Sequence, residues 1–140
     1  ALRRVTTGNE NVAIGHDAGK EITTGDENVA IGNLTMDACT TGTDNTAVGA
    51  RALGNLTTGS ENVAYGMNAA ANITTALYNT AIGFNASRDL TTGNDNTTLG
   101  INAGLVLTTG TNNLILGIVL LIYTVLILQF LVQIQEIRLM

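Results

Sequence analysis

Few residues of this 140-residue chain have side chains suited to catalysis. The chain has a single histidine, His16, and a single cysteine, Cys39, which excludes a histidine dyad, a histidine metal cluster and a disulfide framework within one chain. The segment 15–20 is one residue too short for a P-loop, and Glu21 stands where that motif needs Ser or Thr. We therefore predict a non-catalytic protein with no cofactor. Cys39 is expected to fill an apolar slot as a buried thiol, and His16 to lie on the surface.

Carboxylates recur at every seventeenth position, at Glu10, Glu27, Asp44, Glu61 and, after one gap, Asp95. Calcium accepts such oxygen ligands readily, and stacked carboxylates repel unless they share a cation or splay into solvent. The column lapses at Tyr78 and Asn112, and the glycine–aspartate nonapeptide of calcium β-rolls is absent. We expect a solvated turn here, with the five carboxylates as weak calcium candidates and no assigned metal site.

Asparagines followed by x-Ser/Thr are possible glycan sites, and Asn55 and Asn72 share one column of the repeat. The possible glycan sites are Asn33, Asn55, Asn72 and Asn85. A fifth match, Asn96, belongs to an asparagine column expected to point inward, and is a poor candidate.

A tandem repeat must position all of these residues. Thr-Thr-Gly, or Thr-Thr-Ala at Thr74, returns at every seventeenth position, and an asparagine and a second glycine follow at the same period without any insertion. Each copy reads Thr-Thr-Gly-x-x-Asn-x-Ala-x-Gly and then continues with a looser segment. The glycines and the Thr-Thr pair disfavour helix, and no helical stripe of apolar residues is present. Charged residues make up 12% and apolar residues 45% of the chain, which excludes ordinary disorder, and the net charge of −5 excludes a nucleic-acid-binding surface.

The segment before the second glycine alternates as a short strand does. We predict an all-β, parallel β-solenoid (β-roll) of about seven 17-residue coils over residues 1–117, with two short strands per coil. Its predicted core column is Ile14, Ile31, Val48, Tyr65, Ile82, Leu99 and Leu116. The alanines between this column and the residues two positions earlier are expected to point outward. A second apolar column is Val5, Ile22, Cys39, Leu56, Ile73, Leu90 and Leu107, and a third, of small residues, runs from Ala18 to Ala103.

Stacked coils place equivalent polar side chains above one another, so amides can pair along the axis. The predicted structural ladder is Asn11, Asn28, Asn45, Asn62, Asn79, Asn96 and Asn113.

Two segments carry a family resemblance: Asn-Val-Ala-Ile-Gly at 11–15 and 28–32, and Asn-Thr-Ala-Ile-Gly at 79–83. They resemble the head repeats of YadA-like trimeric autotransporter adhesins and the similar repeats of phage tail fibres. The resemblance covers residues 1 to about 117, although the period is longer than that of YadA heads. It implies a left-handed parallel β-roll, a homotrimer and an extracellular, cell-surface or virion-fibre location.

Repeat order stops after Gly117, and residues 118–140 are predicted to form a hydrophobic tail. The run 114–132 carries no charge and is long enough for a transmembrane helix, and it is the only expected membrane contact. A coiled-coil stalk and an out-of-frame artefact remain alternatives. The stalk's a/d seam would be Leu120, Tyr123, Ile127, Phe130, Ile134 and Ile137. Because the chain begins inside a repeat, we expect it to be a piece of a longer protein.

The predicted function is a structural repeat segment of an extracellular fibre or adhesin that presents a regular surface and self-associates as a homotrimer or a fibril. Its expected partners are further copies of the chain and host surfaces or glycans, and not nucleic acid. The alternative is a monomeric ice-binding solenoid with a threonine ladder. That ladder would be Thr6, Thr23, Thr40, Thr57, Thr74, Thr91 and Thr108.

Overall fold

The computed structural model describes residues 1–117 and shows seven short parallel strands stacked in chain order into a β-solenoid. The strands are β1 Val12–Ile14, β2 Val29–Ile31, β3 Thr46–Val48, β4 Val63–Tyr65, β5 Thr80–Ile82, β6 Thr97–Leu99 and β7 Leu114–Leu116. Every pairing joins equivalent residues of successive repeats, as Ala30 with Ala47, so six complete turns separate the seven strands. The predicted all-β solenoid and the length of its coil are confirmed.

The two faces of the strands are the reverse of the prediction. The central residue of each interior strand points inward and is buried, as at Ala47, whereas Ile14 and Tyr65 are each 60% exposed. The core column predicted from the apolar residues is therefore wrong, and its members lie outward or half-buried. They are Ile14, Ile31, Val48, Tyr65, Ile82, Leu99 and Leu116.

The narrowness of the coil explains this reversal. The wall opposite the strand lies so close that a Cβ added to Gly104 would be 2.8 Å from Cγ2 of Thr98, and one added to Gly19 would be 3.6 Å from Cβ of Ala13. The hydroxyls of Ser87 and Thr98 approach to 2.9 Å across the same space. The space under an interior strand holds an alanine methyl, or the side chain of Thr98 where Ser87 and Gly104 face it, so the larger apolar residues point out.

The larger core side chains come from the other predicted columns. Ile22, Cys39, Leu56, Ile73 and Leu90 are buried, and Met36 and Leu53 join them from a neighbouring position. The column of small residues is also buried. It comprises Ala18, Thr35, Ala52, Ala69, Ala86 and Ala103.

The second strand predicted for each coil is absent from residues 1–117. Near Thr-Thr the carbonyl of Thr40 accepts from the amides of both Thr23 and Thr24, at 2.9 and 3.3 Å, and this shared acceptor replaces the evenly spaced bonds of a parallel ladder. Positive φ angles also interrupt the extended backbone outside the strand, at Glu27 (55°), Leu34 (54°) and Met36 (48°). Each coil therefore consists of one strand followed by a series of bends at residues with positive φ angles.

The glycine after each strand forms a corner that needs its missing side chain. Gly49 has a φ of 130°, and a Cβ there would lie 2.6 Å from the carbonyl carbon and oxygen of Gly66 in the next coil. Both the backbone angle and the close approach of the coils require glycine.

The predicted tail, 118–140, lies outside the described residues, as do the heptad positions of the coiled-coil alternative. Leu114–Leu116, the first part of the uncharged run, is strand β7 and pairs with β6 through Thr97 and Leu114. A helix beginning at Leu114 is therefore excluded. Within residues 1–117 no helix has the length and apolarity to cross a membrane.

Candidate functional site

The asparagine column forms the predicted amide ladder inside the solenoid. The backbone amide and Nδ2 of Asn45 both donate to Oδ1 of Asn28, at 3.1 and 3.0 Å, and Nδ2 also donates to the carbonyl of Gly59 at 3.0 Å. The Asn-to-Asn bonds repeat at every step from Asn11 to Asn113. No buried side-chain nitrogen or oxygen in the described part of the chain lacks a partner. The ladder is thus a structural element, and ligands do not reach it.

The first threonine of each pair uses its hydroxyl within the fold. Oγ1 of Thr40 donates to the carbonyl of Thr57 at 3.1 Å, and the same bond recurs along the column. The threonine column predicted for ice binding therefore uses its hydroxyls in hydrogen bonds to backbone carbonyls, and most of its residues are half-buried. The second threonine of each pair forms the exposed row instead. That row is Thr7, Thr24, Thr41, Thr58, Thr75, Thr92 and Thr109.

The candidate calcium ligands lie in exposed turns. Glu10, Glu27, Asp44, Glu61 and Asp95 are all exposed, with φ angles of 55–58°. In the part of the chain that the structure describes, no three Asp, Glu, His or Cys side chains are grouped to hold a metal ion.

Cys39 and His16 lie where the sequence places them. Cys39 is fully buried, with Sγ 3.9 Å from the carbonyl oxygen of Gly42, and its burial raises the pKa of the thiol to about 11. His16 is exposed, with Nδ1 3.8 Å from a carboxylate oxygen of Asp17. The thiol of Cys39 is therefore shielded from solvent, whereas His16 has a carboxylate beside it on the surface.

The possible glycan sites differ in accessibility. Asn33 and Asn55 are exposed and Asn72 is half-buried, whereas Asn85 is only 9% exposed. The hydroxyls of Thr57 and Thr74, which belong to the Asn55 and Asn72 matches, already donate to backbone carbonyls.

The reversed strands create a flat apolar surface, which we call the outward face. It consists of the two flanking residues of every strand, and Leu99 is half exposed there. Its members are Val12, Ile14, Val29, Ile31, Thr46, Val48, Val63, Tyr65, Thr80, Ile82, Thr97, Leu99, Leu114 and Leu116. Because the strands are in register, the face is continuous over all seven coils.

The outward face widens toward the C-terminal coils. The position two residues past each strand changes from His16, Asn33 and Ala50 to the large apolar residues Met67, Phe84 and Ile101, and all of these except Ala50 are exposed. Seven strands give a length of about 30 Å, and five residues give a width of about 15 Å, so the area is roughly 450 Å². This lies within the range of the largest apolar patches on monomers, which are often functional.

Comparison of the chain with protein-family models, with curated proteins and with solved structures found no match. The resemblance to adhesin and tail-fibre repeats therefore stays a prediction that rests on the repeat motif.

The sequence did not reveal the outward face because an alternating strand pattern is the same whichever face of the strand points inward. Alternation separates the alanines from the Val and Ile columns but does not say which set is inside. The change from His16 to Phe84 and Ile101 in the adjoining column was a signal, because it places large apolar residues beside one another on a single side of the sheet.

Proposed function

We propose that this chain is a non-catalytic structural segment of an extracellular fibre or adhesin and that it self-associates as a homotrimer through the outward face. The observation that carries the proposal is an apolar surface, continuous over seven coils, in a chain whose polar ladders are satisfied internally. An in-register solenoid gains length by adding coils, each of which contacts only its neighbours. Such a body serves as a spacer or as a regular display surface.

A second copy of the chain is the occupant that fits the outward face best. The face is flat and carries no charged residue in its fourteen strand positions. It therefore offers no side chain that could form an ion pair with a different, charged partner. Two faces of roughly 450 Å² bury about 900 Å² in total when they meet, which is just below the size of a stable pairwise interface. In a trimer around one axis each chain divides its face between two neighbours, and the three faces together bury about 1,350 Å² at most. The choice of the trimer over the dimer therefore rests on the resemblance of the repeats to those of trimeric adhesins.

The test is the absolute mass of the full chain by light scattering. All variants are measured in the same buffer and, where a detergent is used, in the same detergent. We expect three times the chain mass of 14.5 kDa. The double variant Ile82→Asp/Phe84→Asp should be monomeric, because it places charges on the outward face. The matched control Thr58→Asp/Thr75→Asp, on an exposed row elsewhere, should keep the wild-type mass.

Three outcomes would overturn the proposal. A monomeric wild type rejects self-association, and a mass of twice the chain rejects the trimer. An assembly that survives Ile82→Asp/Phe84→Asp places the association elsewhere, with the segment 118–140 as the first alternative.

A further inference from the structure

A second surface feature is a notch on a different side of the solenoid from the outward face. Equivalent positions in successive coils are Lys20, Asp37, Gly54, Ala71 and Arg88. The two smallest residues, Gly54 and Ala71, lie next to one another between two longer side chains. The ends of this gap are three coils apart, roughly 14 Å.

The notch has defined walls as well as a floor. Gly54 and Ala71 form the floor, and Asp37 and Arg88 stand at the ends. The side walls are Leu34, Arg51, Asn68, Asn55 and Asn72, and the notch, which is open to solvent, has a volume of about 450 Å³. That volume lies within the range of small-ligand sites.

Two amide ladders start in the notch and leave acceptor oxygens there. Nδ2 of Asn55 donates to Oδ1 of Asn72 at 3.0 Å, and Nδ2 of Asn68 donates to Oδ1 of Asn85 at 3.1 Å. Each of these amides is the first of its row, so its own Oδ1 accepts no hydrogen bond from residues 1–117. The notch therefore presents two acceptors, Oδ1 of Asn55 and Oδ1 of Asn68.

A guanidinium with unused donors lies beside these acceptors. Arg51 is exposed, and its side chain forms no ion pair or hydrogen bond with residues 1–117. Arg88, by contrast, is held by Asp89 through two bonds of 2.8 and 3.0 Å. Arg51 is thus the free cation of the notch, and its planar fork matches a carboxylate.

We propose that the notch binds a carboxylate-bearing saccharide, with the sugar carboxylate on the guanidinium of Arg51 and sugar hydroxyls donating to Oδ1 of Asn55 and Oδ1 of Asn68. The combination of one anion-binding fork with two hydrogen-bond acceptors selects this class. Inorganic phosphate can pair with Arg51 and is therefore compared directly in the test, and a neutral sugar leaves Arg51 unused. None of the residues of the outward face lines the notch, so this inference goes beyond self-association and fails or holds separately from it.

The test is titration calorimetry of the full chain with a short glucuronate-containing oligosaccharide. A neutral glucose oligosaccharide of equal length and inorganic phosphate are the comparison ligands. We expect the acidic oligosaccharide to bind at least tenfold more tightly than either, because a charge-assisted bidentate contact is worth about a factor of ten or more.

Variants locate the binding. Arg51→Gln should weaken binding of the acidic oligosaccharide about tenfold, and Ala71→Leu should abolish it by filling the floor. Asp37→Asn removes the one carboxylate in the lining and should tighten binding. Arg4→Gln, an exposed arginine paired with Glu21 outside the notch, is the matched control and should leave the Kd unchanged. Circular dichroism of each variant checks that the fold is retained.

Several results would overturn the assignment. Equal affinity for the neutral oligosaccharide removes the role of the carboxylate, and equal affinity for phosphate makes the notch a simple anion site. Undetectable binding of the acidic oligosaccharide, or an unchanged Kd in a folded Arg51→Gln variant, rejects the notch as its site. The oligomeric mass is measured independently, so the failure of one proposal leaves the other standing.

Discussion

At the scale of single residues, the chain is held by side chains that replace backbone pairing outside the strands. Each interior asparagine donates to the previous asparagine through both its backbone amide and its Nδ2, and also to a carbonyl in the next coil, as Asn62 does to Ala76. In a coil with one three-residue strand, these amides satisfy backbone groups that a wider sheet would satisfy by itself. A buried polar group in this position stabilises because all of its bonds are made.

Replacement of Asn62 by alanine should be among the more destabilising substitutions. It leaves the carbonyl of Ala76 and the amide of Asn79 without partners in a buried setting, and it removes one of the two donors to Oδ1 of Asn45. We expect a loss of about 3 kcal/mol in the free energy of unfolding, measured by urea denaturation. Asn55→Ala, at an exposed amide, is the control and should change it by less than about 0.5 kcal/mol. Equal effects in the two variants would show that the ladder is not a main source of stability.

At the scale of the strand, the decisive feature is which side faces in. Ala47 is fully buried and its neighbour Val48 is half-buried on the outward face, although the two are adjacent in the chain. The alanine methyl fits the space left between the strand and the opposite wall, where a valine would overfill it, and Thr98 is accommodated at the equivalent position because Ser87 and Gly104 lie opposite.

The substitutions Ala47→Asp and Val48→Asp test this orientation directly. Ala47→Asp places a carboxylate in a space that holds one methyl group, so we expect the variant to lose several kcal/mol of stability or to remain unfolded. Val48→Asp should keep the circular dichroism spectrum and most of the unfolding midpoint, and should weaken self-association. The reverse ranking, with Val48→Asp the more damaging to folding of a single chain, would restore the predicted core column.

At the scale of the whole molecule, the stacked columns give the solenoid separate surfaces with different chemistry. The outward face is apolar, and the notch is lined by amides and arginines. The exposed threonine row lies three positions before an exposed carboxylate in five of the seven coils, as Thr24 does before Glu27. This arrangement suits a fibre segment because one surface can pack against copies of the chain while the others remain accessible.

The ice-binding alternative makes a different prediction for the whole molecule. We expect a solution of the full chain to show no thermal hysteresis, because six of the seven hydroxyls in the ice-binding column, from Thr6 to Thr91, donate to carbonyls and a single exposed row remains, mostly beside carboxylates. Nanolitre osmometry measures this. A hysteresis that disappears in Thr41→Lys/Thr58→Lys, with the control Glu27→Lys retaining it, would favour ice binding over the fibre.

The amino-acid sequence by itself determined the period, the parallel stacking and the membership of every column, because a constant period without insertions allows equivalent positions to lie above one another in only one register. It also placed the asparagine ladder, the buried Cys39 and the exposed carboxylates. Only the tertiary structure decided which of the two faces of the strand points inward. Alternation along a strand is the same for either orientation, and the deciding quantity, the narrow clearance between Thr98 and Gly104 across the coil, arises when distant bends of the backbone close. The notch likewise depends on Gly54 and Ala71 becoming neighbours along the axis, and on two amide rows beginning one coil apart, at Asn55 and Asn68.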